Sequence, residues 1–160
     1  MDRQKWGLAG LLAFEAIIAA YTFGNGTNVF SYMYAIGAVT LAFAIWRGPT
    51  RWHYGALALV SGYRAFMQTS AGAPLGVYPT WLVPIGFAWL AIAPTAMPRF
   101  AIAAVALART WFIVWYFLPG NTIVALANVV GAAGAWLWAS SIAPESGSAT
   151  MNDEPRVAPP

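Results

Sequence analysis

Three long stretches of this sequence carry almost no charge. From Arg109 to Glu145 no side chain is charged, between Trp6 and Trp46 only Glu15 is, and between Arg51 and Arg99 only Arg64 is. A soluble domain covers its surface with about 25% charged residues, whereas this chain has 8% and is 60% hydrophobic. Uncharged apolar runs of this length fit bilayer-crossing helices, which need about 20 residues each. The expected fold class is therefore an all-α polytopic transmembrane helix bundle, with the lipid bilayer as its first partner.

Turn residues divide the apolar sequence into six spans. They run from about Trp6 to Phe23, Val29 to Trp46, Trp52 to Gln68, Val77 to Ala93, Phe100 to Leu118 and Thr122 to Ile142. Gly24 to Asn28, Arg47 to Arg51, Thr69 to Gly76, Pro94 to Arg99 and Pro119 to Asn121 are the breaks, rich in Gly, Pro and Asn. The fourth span is the weakest because it holds Pro84, although membrane helices tolerate proline. Residues 1–142 form the expected bundle. Residues 143–160, rich in Pro, Ser and acid, form an expected disordered polar tail.

Orientation follows from the basic residues. Arg3 and Lys5 precede the first span, Arg47 and Arg51 join the second to the third, and Arg99 joins the fourth to the fifth. The other three connections hold no charge. The positive-inside rule makes the basic face cytoplasmic, so both termini are expected in the cytoplasm and the first span is expected to remain uncleaved. Seven Arg against one Lys, with abundant Ala, Gly and Trp, suggests a bacterial inner-membrane protein. Aromatic belts agree: Trp6, Trp46, Trp52, Tyr54, Trp136 and Trp138 fall near the inner interface. Tyr21, Tyr32, Tyr78, Trp81, Trp115 and Tyr116 fall near the outer one.

Glu15, Arg64 and Arg109 are the candidate functional residues, because each lies well inside a span. A charge at the centre of a membrane helix costs about 2.5–3.5 kcal/mol on insertion scales. Such residues face the bundle interior, pair, and mark function by default. All three spans run in the same direction, so the three charges reach similar depths and form an expected cluster of net positive charge. That surplus suits an anionic or polarised solute. The structural alternative is an ion pair that fixes packing while one arginine snorkels to the headgroups. Secondary polar candidates are Ser61 and Gln68, on one helical face with His53, Leu57 and Arg64. Asn128 on the sixth span begins a small-residue face with Gly131 and Gly134, for which helix packing is the simpler role.

The excluded classes narrow the reading further. With no cysteine and one histidine, neither a thiolate or zinc site nor a bis-histidine haem is expected. No cofactor, metal or catalytic residue set is expected, and no phosphate-binding glycine motif is present. The net charge of +3 sits at span ends rather than in a patch, so no nucleic-acid partner is expected. Displacement of the sequence by 45 residues lays Pro49, Ala56, Val60 and Arg64 on Pro94, Ala101, Val105 and Arg109, which suggests three repeated hairpins. This layout is similar, in topology and size only, to that of the small urea and amide channels of bacteria, and the resemblance carries over no residue. Two functions are expected to compete. One is a channel or permease for a small polar or anionic solute, oligomeric in the membrane. The other is a non-transport accessory subunit of a larger membrane complex. An intramembrane enzyme is disfavoured by the scarcity of acids and bases.

Overall fold

A computed structural model describes residues 2–142 except Thr27, Ala71 and Ala73. The expected tail, 143–160, lies outside the described residues. The described residues fold into six α-helices: α1 (Arg3–Gly24), α2 (Val29–Arg47), α3 (Arg51–Ser70), α4 (Leu82–Ile92), α5 (Pro98–Phe117) and α6 (Thr122–Ser141). A 3₁₀ segment, Leu75–Trp81, leads directly into α4. Among the described residues there is no strand.

Local chemistry sets the helix ends. The Asp2 carboxylate accepts from the Gln4 amide and caps α1. Asn28 and Ser31 close a reciprocal capping box on α2, with Asn28 accepting from the Ser31 amide and Ser31 Oγ from the Asn28 amide. Gly48, at φ 89°, ends α2 in a backbone conformation that costs glycine little. Pro98 opens α5 at its first turn, where a missing N–H does no harm.

Among the described residues, five segments are long and apolar enough to cross a membrane: Arg3–Gly24, Val29–Arg47, Leu75–Ile92, Pro98–Phe117 and Thr122–Ser141. The fourth is among them despite its prolines. Pro84 sits in the first turn of α4 and Pro79 in the 3₁₀ segment, so neither breaks an α-helix from within. The helix that falls short is α3. At 20 residues it is as long as the five apolar segments, but it spends positions on His53, Ser61, Arg64 and Gln68.

The helices form a closed ring. Each packs against its neighbours in sequence, and α1 against α6 completes the circle. Helices on opposite sides of the ring do not approach backbone to backbone. Glycine makes the closing contact possible: a Cβ on Gly10 would lie 2.7 Å from Gly134 Cα, and one on Gly7 would lie 2.5 Å from Trp138 Cβ. The α4–α5 contact uses the same device, since a Cβ on Gly86 would meet the Ala101 carbonyl oxygen at 2.5 Å. Without a hydrophobic driving force between helices in lipid, such close backbone approach is a main source of association.

The ring has two unlike ends. One carries Arg3, Lys5, Arg47, Arg51 and Arg99; the other is built of the uncharged connections after α1, α3 and α5. Toward the basic end the interior is filled by Leu8, Leu11, Leu41, Leu57, Phe87, Leu90, Ile102 and Val105, all buried in one apolar cluster. Tyr54 and Trp138 belong to that cluster and stack with ring centroids 5.9 Å apart. Both were expected near the inner interface; they do lie toward the basic end, but face inward and fill the ring rather than anchoring it. Trp6, Trp46 and Trp52 are exposed at the basic end, as interfacial anchors are.

Candidate functional site

Helices α1, α3 and α5 each place one charged side chain in the middle of the ring. Glu15, Arg64 and Arg109 are 4%, 5% and 7% exposed, and they meet. Arg64 grips the Glu15 carboxylate with both terminal nitrogens, Nη1 to Oε2 at 2.5 Å and Nη2 to Oε1 at 2.9 Å. Arg109 Nη2 lies 3.4 Å from Glu15 Oε1. The expected cluster therefore exists, with one acid between two bases and neither arginine snorkelling away.

The two arginines are held differently. The bidentate fork on Arg64 is short, with Nη2 within the charge-assisted range of about 2.7–2.9 Å and Nη1 closer still. The single long contact of Arg109 does not, and its buried Nε has no hydrogen-bond partner. Each guanidinium lies on an aromatic face: Arg64 Cζ is 4.2 Å from the Tyr34 ring centroid and Arg109 Cζ is 3.7 Å from that of Phe14. A desolvated cation–π contact of this kind contributes about 2 kcal/mol and offsets part of the lost hydration. On the far side of the carboxylate, α2 presents Gly37. A Cβ there would lie 2.6 Å from Glu15 Oε2, so the carboxylate occupies the space a side chain would take.

A cavity of about 30 Å³ adjoins the cluster on the side of the uncharged end. It has room for about two water-sized atoms. Ser61, Arg64 and Gln68 line it from α3, Arg109 and Tyr116 from α5, Asn128 from α6 and Thr80 from the 3₁₀ segment. Gln68, Thr80 and Tyr116 are only half-buried, so the cavity is shallow toward that end. Ser61 Oγ donates to the Leu57 carbonyl at 2.6 Å and is thereby satisfied within its own helix. Asn128 Nδ2 donates to the Val124 carbonyl, which leaves Oδ1 buried without a donor. His53 does not join this group. It sits at the start of α3, where Nδ1 meets the Thr50 hydroxyl at 2.9 Å.

A second, wider recess of about 600 Å³ opens at the basic end, bordered by Asp2, Thr50, Arg51, Pro98 and Ser141, with Tyr54 and Trp138 among its lining. The residues between the two spaces are apolar on every helix that borders both: Leu8 and Leu11 on α1, Leu57 on α3, Phe87 on α4, Val105 on α5 and Ala135 on α6. The axis of the ring is therefore polar, then dry, then open.

Several of these partners were not singled out from the sequence. Tyr34 and Gly37 lie on the inner face of α2 with Ser31, Leu41 and Ala44, the buried residues of that helix. Their spacing carries the helical period, yet nothing in a small-residue face says that a carboxylate rests on it. Tyr116, expected near the outer interface, lies toward the uncharged end but turns inward to line the cavity. Among the described residues, no group of three His, Cys, Asp or Glu converges. No protein-family model, curated protein or solved structure matches this chain.

Proposed function

We propose that this chain is a small multi-pass membrane protein that admits a polar or anionic solute from the uncharged end of its helical ring and carries it past the Glu15–Arg64–Arg109 cluster. The observation that supports this reading is Arg109, a buried cation that lines the cavity, is only half engaged by Glu15 and has an unpartnered Nε. Buried guanidiniums in structural roles normally use their donors. The dry layer between the two recesses favours a carrier that alternates over an open pore. In this reading all six helices cross the membrane, the basic end faces the cytoplasm of a bacterium, and Ser61, Gln68 and Asn128 line the approach to the arginines.

The test is solute flux into liposomes holding the purified protein, scanned over small neutral solutes and small anions. Saturable uptake that falls at least about tenfold in Arg109→Gln, with the variant still folded, supports the proposal. Absence of flux for every solute in the wild-type protein sinks it.

One observation favours a second reading, an accessory subunit. Helix α2 is the least buried of the five apolar segments. Its outward residues Tyr32, Ile36, Val39, Phe43 and Trp46 are exposed and alternate by four and three positions, the spacing of a helix–helix seam. Co-extraction of a stoichiometric partner, with no flux by the isolated protein, would decide for it.

A further inference from the structure

The charges in the middle of the ring can be counted completely. Glu15 contributes one negative charge, and Arg64 and Arg109 contribute two positive ones. Every other residue that lines the adjoining cavity is formally neutral: Tyr34 from α2, Thr80 and Val83 from the 3₁₀ segment and α4, Tyr116 from α5, and Asn128 from α6. The site therefore carries one uncompensated positive charge in a desolvated position, where isolated charge is most costly.

From this count we infer that the site takes one small monovalent anion, such as nitrate or formate, in preference to a dianion or a neutral solute. The inference rests on the solute-binding reading above and names its substrate class. A single negative charge brings the cluster to neutrality. A dianion would leave it one charge negative, and a neutral solute would leave the excess in place. The anion would accept from the guanidinium of Arg109, which lines the cavity, spends only Nη2 on Glu15 and has a buried Nε without an acceptor. Water at the half-open mouth would supply the donor that Asn128 Oδ1 lacks. Size agrees with charge: about 30 Å³ of space, enough for about two water molecules and open at its mouth, suits an anion of three or four heavy atoms. Glu15 stays on Arg64 throughout, held by the two-pronged contact that Arg109 does not share.

Thermal unfolding of the detergent-solubilised protein, followed through its nine tryptophans, tests this at millimolar solute and constant ionic strength. Nitrate and urea are planar and similar in size but differ in charge; sulfate supplies two charges. Nitrate and formate should raise Tm saturably, urea and sulfate should not, and Arg109→Gln should abolish the response. Glu15→Gln removes the opposing charge and should tighten nitrate binding by about tenfold or more. Should that variant fail to fold, the wild-type series and Arg109→Gln decide alone. Saturable stabilisation by urea without nitrate, or by sulfate as strongly as by nitrate, overturns the inference while leaving a solute-binding site intact. No response to any solute, together with no flux, removes both.

Discussion

At the scale of single residues, the cluster is an unequal triad. Arg64 and Glu15 form a two-pronged pair, and Arg109 stands beside it, held by Phe14 and by one long contact. Removing one partner of a buried pair leaves an uncompensated charge and costs about 3–5 kcal/mol. Glu15→Gln leaves two arginines facing each other, so it should lower the unfolding temperature clearly. Arg109→Gln should cost less than Arg64→Gln, because Arg109 gives up one weak contact and Arg64 gives up two strong ones. Adding Arg109→Gln to Glu15→Gln should recover part of the loss, as contacting sites couple. Equal effects of the two arginine substitutions in a thermal-denaturation series would contradict the inequality. Gly37 belongs to the same ledger of contacts: Gly37→Ala pushes a methyl against the carboxylate and should weaken the pair without touching any charge.

At the scale of elements, α3 is the helix on which the topology turns. It carries the most polar inner face and is the helix not apolar enough to be a span by composition, yet its two ends, Arg51 and Ser70, lie at opposite ends of the ring. If α3 crosses the bilayer, Pro49→Cys should react only with reagent from the cytoplasmic side and Ser70→Cys only from outside. Labelling of both from one face rules out six spans. Much of the element order was legible in the sequence. Gly, Pro and Asn at the connections, and uncharged runs between them, marked six helices to within about three residues of their observed ends, except that the fourth, expected from Val77, starts as a 3₁₀ segment and becomes α-helical only at Leu82. The convergence of Glu15 with both arginines was legible too, because depth along a helix follows from counting residues. What was not legible was direction around each helix. Whether Tyr54 and Trp138 point to lipid or to the ring axis depends on how α3 and α6 are rotated, and an apolar helix with apolar surroundings carries little signal of its rotation. The glycines hold that information only in retrospect. Gly10 and Gly134 fix the α1–α6 approach, so Gly134→Leu should force those helices apart. Such overpacking costs about 1–3 kcal/mol, read as a lower unfolding temperature; an unchanged one would show that the ring does not close there.

At the scale of the whole molecule, the ring is asymmetric along its axis. The charge cluster and the polar cavity occupy one half, and Leu8, Leu11, Leu57, Phe87 and Val105 occupy the next, before the recess at the basic end. A solute that reached Arg109 from the uncharged end would meet a layer with no polar side chain to replace its water. Hydrophobic constrictions of this kind block passage by excluding water rather than by plugging the path sterically. If the chain carries a solute as proposed, the layer, more than the cluster, decides between a carrier and a pore. Leu57 and Val105 project into it from α3 and α5, the two helices that hold the arginines, and each lies nearer the basic end than its arginine. Replacing both with serine keeps the helices and the cluster but gives water a foothold between the two recesses. The double variant should therefore pass small solutes into liposomes without saturation, at a rate proportional to the gradient. Uptake by the parent protein should saturate. If the double variant remains as tight and as saturable as the parent, the apolar layer is not the barrier, and the solute path does not run along the axis of the ring.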